Sequence, residues 1–176
     1  MKKKDRIVTI IFFIILLTIT ALVTHEVDQS LATPEEQNKN SYQKDVKYVP
    51  LPNDLKKYEG YPWEILKLPD FSKAYRSILG PRIKEKWLKL MDGPSYPNEM
   101  IVTPQGNFVV IHSCKQHYCE THFILILFDS FTKQCWGLLV ENGMTVWLGS
   151  PDNEMKALLK KVERITWPNA PSNRIN

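Results

Sequence analysis

The stretch FVVIHSCKQHYCETHFILILF, residues 108–128, decides the fold of this chain. Its two ends, residues 108–111 and 123–128, are apolar at both odd and even positions. Strands of that kind are covered on both faces, so we expect them in the middle of a sheet. Between them, His117 lies in a six-residue loop from Cys114 to Cys119. If the two cysteines are joined, this loop is a stiff tip that holds one imidazole away from the body of the protein.

The flanking sequence predicts an antiparallel meander around this pair. Residues 100–103 are a short strand candidate, and PQGN at 104–107 is a turn. Residues 135–140 and 144–148 are rich in apolar residues and are predicted to form two further strands. The Asn142-Gly143 pair between them is typical of a two-residue hairpin turn.

Helices are predicted before and after the strands along the chain. Asp70 can cap a helix with an apolar face made of Phe71, Ala74, Tyr75, Ile78 and Leu79. A second helical piece has an apolar side made of Ile83, Trp87, Leu90 and Met91. A last helix is predicted with Ser150 as its cap, Pro151 at its first position, and an apolar face made of Met155, Leu158, Leu159 and Val162. The sum is an α+β domain, a central antiparallel sheet of about five strands with helices packed against it.

The N-terminus predicts export. Four basic residues within the first six precede an uncharged apolar run over residues 7–23, as in a secretory signal. Ser30-Leu31-Ala32 has the small residues of a cleavage site, which makes residues 1–32 a signal peptide. The alternative is an uncleaved inner-membrane anchor through residues 7–23. Both interpretations place the rest of the chain outside the cytoplasm, where disulfides persist.

The remaining chain divides by composition. Residues 33–62 are polar and carry prolines, which predicts a linker or loosely packed arm. Residues 63–167 are enough for one folded domain, and residues 168–176 are a tail. Without residues 1–32 the formal charge is about +3, from scattered residues of both signs. That balance is too small and too mixed for a nucleic-acid partner.

The residues of the loop leave three interpretations open. In the first, a disulfide between Cys114 and Cys119 closes the tip of a hairpin and has no further role; closing so short a loop stabilises the fold by about 2 kcal/mol. A metal site could use His112, His117 and His122, although the spacing is unlike that of a closed zinc site. A thiolate activated by a neighbouring histidine would make the protein an enzyme, but the sequence offers no orienting third group.

The third cysteine and the tryptophans have simpler interpretations. Cys135 lies in a strand and is predicted to be an apolar filler, the alternative being a disulfide between the subunits of a homodimer. Trp87, Trp136 and Trp147 fall on helix or strand faces and are predicted to belong to the core, whereas Trp167, beyond the last helix, is predicted to be exposed.

The loop resembles the signature of the Ivy family, inhibitors of vertebrate (c-type) lysozyme exported by Gram-negative bacteria. The family signature is Cys-Lys-Pro-His-Asp-Cys, and residues 114–119 read Cys-Lys-Gln-His-Tyr-Cys. The resemblance extends over about residues 65–163. It includes Gly93, the Gly106-x-x-x-Val110 strand, Gly137-Leu138 and the Trp-Leu-Gly-Ser-Pro segment at 147–151.

This resemblance implies a function without catalysis and without a cofactor. It implies a disulfide between Cys114 and Cys119, and a loop that enters the lysozyme cleft so that His117 meets the two catalytic carboxylates. Lys115, Gln116 and Tyr118 would line the contact. The partner would be a c-type lysozyme or a related muramidase, the location would be the periplasm, and the role would be peptidoglycan protection and evasion of host defence. Gln116 stands where the family has proline, and Tyr118 where it has aspartate, so the loop is less stiff and less acidic.

Overall fold

A computed structural model describes residues 45–167. Its six strands form one antiparallel sheet in which every strand pairs with its neighbours in sequence. The strands are β1 (Lys47–Val49), β2 (Glu99–Thr103), β3 (Gly106–Cys114), β4 (His122–Asp129), β5 (Gln134–Glu141) and β6 (Met144–Leu148). The predicted meander is confirmed, with one strand more than the five expected.

Four α-helices accompany the sheet in the described part of the chain. They are α1 (Pro62–Ile65), α2 (Pro69–Leu79), α3 (Lys86–Leu90) and α4 (Asn153–Thr166), with 3-10 turns at Asn53–Tyr58 and Gly80–Lys84. Together with the sheet they make the α+β domain that the sequence predicts. None of the helices within residues 45–167 has the length and apolar character needed to cross a bilayer. The predicted signal or anchor lies outside the described residues.

The sheet is covered on both faces, as predicted for β3 and β4. One face carries Val109, Ile111, Ile124 and Ile126, which pack with the side chains of α1 to α3. The other face carries Val110, Phe123, Leu125 and Leu127 under the buried side of α4. The predicted apolar residues of α4 (Met155, Leu158, Leu159 and Val162) are all buried there. Burial on two faces explains why these strands are apolar at both parities.

The start of α2 differs from the prediction. Leu68 is the N-cap residue and Pro69 occupies the first turn, so Asp70 is not the cap. Proline is suited to that place because it has no N–H to leave unpaired. The Asp70 carboxylate instead accepts hydrogen bonds from the Tyr58 hydroxyl at 2.5 Å and from the Lys57 ammonium at 3.0 Å. The predicted buried face of the helix is confirmed at Phe71, Ala74, Tyr75 and Leu79, with Ile78 half-buried.

The second helical piece is wrongly predicted as one continuous face. Glu85 has extended backbone angles between the 3-10 turn and α3, which breaks the 3.6-residue period. In the rephased helix Leu88 and Met91 are buried and Trp87 is half-buried, whereas Leu90 is exposed.

The cap of the last helix also differs. Asp152, rather than Ser150, is the N-cap, and its carboxylate accepts from the Met155 N–H at 2.8 Å. Ser150 has a φ of 52°, so it belongs to the preceding turn. Pro151 therefore precedes the helix and is not its first residue. The predicted Asn142-Gly143 turn is confirmed, with φ values of 51° and 78° that a type I′ turn requires.

The ends of the domain pack more closely than the composition indicates. Residues 33–62 are predicted to be a loose arm, but within them Val46, Leu51 and Tyr58 are buried and β1 pairs with β2. Three residues are too few for strand periodicity, which is why β1 escaped prediction. Trp167 is predicted to be exposed but is half-buried, because its ring packs with that of Phe123 at a centroid distance of 4.7 Å. Trp87, Trp136 and Trp147 lie at the edges of the core, half-buried. Residues 33–44 and 168–176 lie outside the described part.

Candidate functional site

The connection between β3 and β4 is a disulfide-closed loop. Cys114 is the last residue of β3 and forms a disulfide with Cys119, their Cα atoms 4.9 Å apart. The Lys115 N–H donates to the His122 carbonyl at 3.0 Å, and the Tyr118 N–H donates to the Lys115 carbonyl at 2.9 Å. Backbone hydrogen bonds and the disulfide together hold a short turn at one end of the sheet.

His117 lies at the tip of this turn. Its φ of 68° is in the left-handed region, where histidine is several-fold enriched over other non-glycine residues. The side chain is exposed, as are those of Gln116 and Tyr118 beside it. Within residues 45–167 its imidazole makes no hydrogen bond or ion pair. The loop therefore presents an imidazole whose two nitrogens can both contact another molecule.

The rest of the loop contacts itself. The Lys115 ammonium lies 5.2 Å from the centroid of the Tyr118 ring, within cation–π range. The Tyr118 ring meets the ring of His122 edge-on at 5.9 Å, and Nδ1 of His122 lies 3.0 Å from the Thr121 hydroxyl. Tyr118 is still 55% exposed, so it can add an aromatic surface next to His117.

The base of the loop is supported by a segment that lies earlier in the chain, a contact that the sequence does not predict. The Cys114 N–H donates to the Pro94 carbonyl at 3.0 Å. A Cβ placed on Gly93 would lie 1.8 Å from the Cys114 carbonyl oxygen, so no larger residue fits at this approach of two backbones. The Asp92-Gly93-Pro94 segment follows α3, which ends at Leu90. The sequence carries no signal that this segment also touches a strand that follows it.

The three histidines that the metal-site interpretation would use lie in different environments. His112 is 5% exposed, and the centroid of its ring lies 4.6 Å from that of Trp167 and 5.7 Å from that of Tyr96. Burial lowers the pKa of His112 to about 4. His122 is half-buried and His117 exposed. No group of three histidine, cysteine, aspartate or glutamate side chains within residues 45–167 could hold a metal ion.

The three cysteines are either joined in a disulfide or buried. Cys114 and Cys119 are both consumed in the disulfide, so neither supplies the thiolate that a catalytic interpretation requires. Cys135 is buried, and burial raises the pKa of its thiol. A buried neutral thiol is the apolar filler that the sequence predicts.

His117 also borders a groove. The groove has a volume of about 500 Å³ and lies between α3 and the loop. It is lined by Glu85, Lys86, Trp87, Asp92, Gly93, Lys115, Gln116 and His117. The tip of the loop therefore forms one wall of a concave surface on the same end of the molecule.

The sequence of this chain is similar to that of known proteins. A sequence model of the family described as "Inhibitor of vertebrate lysozyme (Ivy)" matches residues 70–170. A protein of Pseudomonas aeruginosa named "Inhibitor of vertebrate lysozyme" is 24% identical over 114 residues, a match that covers 56% of this chain and 74% of that protein. The family match includes the disulfide loop, Gly93 and the last helix, and it spans more than half of the chain. The chain belongs to the Ivy family of vertebrate lysozyme inhibitors.

Proposed function

We propose that this protein is a non-catalytic inhibitor of a c-type lysozyme or a related muramidase, and that the loop from Cys114 to Cys119 enters the enzyme's active-site cleft. The observation that carries the proposal is the exposed imidazole of His117 at the tip of a disulfide-closed turn. Membership of the Ivy family supports an enzyme of this class as the partner.

The chemistry of the target explains the choice of side chain. Retaining lysozymes use one protonated carboxylic acid and one ionised carboxylate on either side of the bond that they cleave. An imidazole has two nitrogens on opposite edges of one ring, so His117 can hydrogen-bond to both groups at once. It then occupies the space that the sugar ring needs, and substrate cannot enter.

The build of the loop favours tight binding. Ordering a flexible segment at an interface costs free energy, and a segment that is already closed loses less. The disulfide, the Tyr118 to Lys115 hydrogen bond and the support from Pro94 all restrict the turn before it meets an enzyme. Gln116 in place of proline removes one further restraint, and Tyr118 in place of aspartate replaces a charge by an aromatic surface.

The site of action follows from the N-terminal sequence. We propose that residues 1–32 direct export, by cleavage or as an anchor, so that the domain protects peptidoglycan from outside the cytoplasm. A disulfide that builds the functional loop agrees with an oxidising compartment.

The test is lysis of a peptidoglycan suspension by a c-type lysozyme with the protein added. Wild type is expected to slow lysis, and His117→Ala to weaken binding roughly 100-fold or more, the scale for removing one partner of a buried charged hydrogen bond. Gln105→Ala is the matched control, since Gln105 is exposed in the turn at the opposite end of β3. Thermal unfolding of each variant checks that the fold is intact. Equal inhibition by wild type and His117→Ala would contradict the proposed role of the histidine.

A further inference from the structure

We propose that the groove between α3 and the loop is a second contact site, which receives one lysine or arginine side chain from the rim of the inhibited enzyme's cleft. This inference rests on the proposed function and deepens it, because it assigns a specificity-determining site beside the inserted loop. The residues that carry it are Glu85, Trp87 and Asp92, on the wall that faces the loop.

Glu85 is held in place by its neighbours. The Trp87 indole N–H donates to Oε2 of Glu85 at 3.2 Å, and the Arg82 guanidinium lies 3.9 Å from Oε1. Arg82 is in turn ion-paired to Glu141 at the end of β5. Glu85 remains 40% exposed, so its carboxylate is oriented by the fold yet reachable from the groove.

Asp92 is the less restrained carboxylate. It is exposed at the end of α3, next to the glycine that touches the base of the loop, and it forms no ion pair among residues 45–167. The half-buried indole ring of Trp87 lines the same groove and offers it a π surface. Two carboxylates beside an indole are the surroundings that a guanidinium or ammonium group binds best, through charged hydrogen bonds and a cation–π contact. An anionic side chain placed against Glu85, Asp92 and the indole would meet like charges and the negative face of the ring.

Two lysines on the border of the groove determine how the site acts. Lys86 and Lys115 balance the two carboxylates, so the groove has no net formal charge. The Lys115 ammonium lies against the Tyr118 ring, on the loop side. Because their charges balance, the residues that line the groove add little long-range attraction for a cation, and they stabilise one on contact. We therefore expect the site to slow dissociation of the complex and to leave its association rate nearly unchanged.

The position of the groove connects it to the loop. His117, Gln116 and Lys115 form one wall, and Gly93 joins the two walls through its contact with Cys114. When the loop enters a cleft, the enzyme surface that borders that cleft has to pass over the groove. A cation on that border would be buried against Glu85 and Asp92, and an enzyme without one would dissociate faster.

The experiment measures association and dissociation rates of the full-length chain on an immobilised c-type lysozyme. Asp92→Asn combined with Glu85→Gln removes both charges and keeps the size of each side chain. We expect about 10-fold faster dissociation, the scale for losing charged contacts of this kind, with little change in association. Glu154→Gln is the control, because Glu154 is an exposed carboxylate beside the Gln105 turn, at the opposite end of the sheet from the loop. Asp92→Asn alone, at an exposed position, is the second variant if the double variant is unstable.

The outcomes separate this inference from the proposed function. If binding is lost in His117→Ala but unchanged in the double variant, the groove is not a contact site, and the proposed role of the loop is unaffected. Tighter binding by the double variant would mean an anionic occupant and would overturn the inference too. Absence of wild-type binding, and of inhibition, would overturn both. Faster dissociation of the double variant with Glu154→Gln unchanged would establish the site.

Discussion

His112 gives the sharpest quantitative prediction, because it is buried and finds no polar partner among residues 45–167. It lies on β3 under the end of α4, with the aromatic rings of Trp167, Tyr96 and Phe123 around it. Neither Nδ1 nor Nε2 has a hydrogen-bond partner among the described residues. Such a ring is buried neutral, and protonating it in place would strand a charge in an apolar site.

The magnitude follows from linkage. Burial lowers the pKa of His112 from 6.5 to about 4. Between these values the unfolded chain binds a proton that the folded chain does not, so stability falls as the pH falls. The loss begins near the unfolded pKa and levels off below the folded one. At about 1.4 kcal/mol for each pH unit, the full effect is roughly 3 kcal/mol, most of it between pH 6.5 and pH 4.5.

The assay is urea unfolding of wild type and His112→Leu at about pH 7.5 and about pH 4.5. Leucine is apolar and its side chain fits in the space that the imidazole occupies, so the substitution removes the titratable group without adding a polar atom. We expect the wild type to lose about 2–3 kcal/mol more than the variant between the two pH values. Carboxylates that titrate in the same range affect both proteins alike and cancel in the difference.

The reasoning fails if the two proteins lose stability in parallel. That result would mean that His112 is protonated with little cost in the folded state, which a buried ring without polar partners does not permit. A variant that is less stable than wild type at both pH values by a constant amount would reveal a packing cost and leave the pH argument unsupported.

Two further predictions concern the frame of the site. Gly93→Ala is expected to push the base of the loop away, since its Cβ would lie 1.8 Å from the Cys114 oxygen; it should lower stability by about 1–3 kcal/mol in urea unfolding and weaken lysozyme inhibition. Asp70→Asn is expected to cost about 1–3 kcal/mol at neutral pH, because the carboxylate accepts from Tyr58 and Lys57 and lies 3.3 Å from the Lys133 ammonium. Although burial alone would raise it, these contacts hold the pKa of Asp70 well below its usual range. The difference between wild type and Asp70→Asn should therefore persist above the unfolded pKa and shrink as the pH falls below it, and a difference that stays constant in acid would contradict the charged role.

The sequence by itself determined the central part of the fold. Residues 108–111 and 123–128 are apolar at both parities, the pattern of strands covered on two faces, and their short length favours strands over a buried helix. The Asn142-Gly143 turn and the buried face of α4 are likewise local patterns with one physical interpretation each. The loop was recognisable because its cysteines, lysine and histidine keep the family spacing.

Where local signals compete, the tertiary contacts decided. Asp70 and Ser150 are good capping residues in isolation, but Pro69 begins one helix and Asp152 caps the other. Tyr58 and Lys57 bind the Asp70 carboxylate. Both lie in the 3-10 turn that follows β1, and β1 is only three residues long. No periodicity within so short a strand distinguishes it from a polar arm.

The separate environments of the three histidines could come only from the tertiary structure. His112, His117 and His122 are close in sequence, which suggested a shared metal, yet one is buried by Trp167 from the end of α4 and one is turned outward by a left-handed backbone. The groove beside His117 likewise joins α3 to a loop that follows two strands later. Contacts between distant segments depend on how the helices pack on the sheet, and nothing in the local sequence of either segment records which partner it will meet.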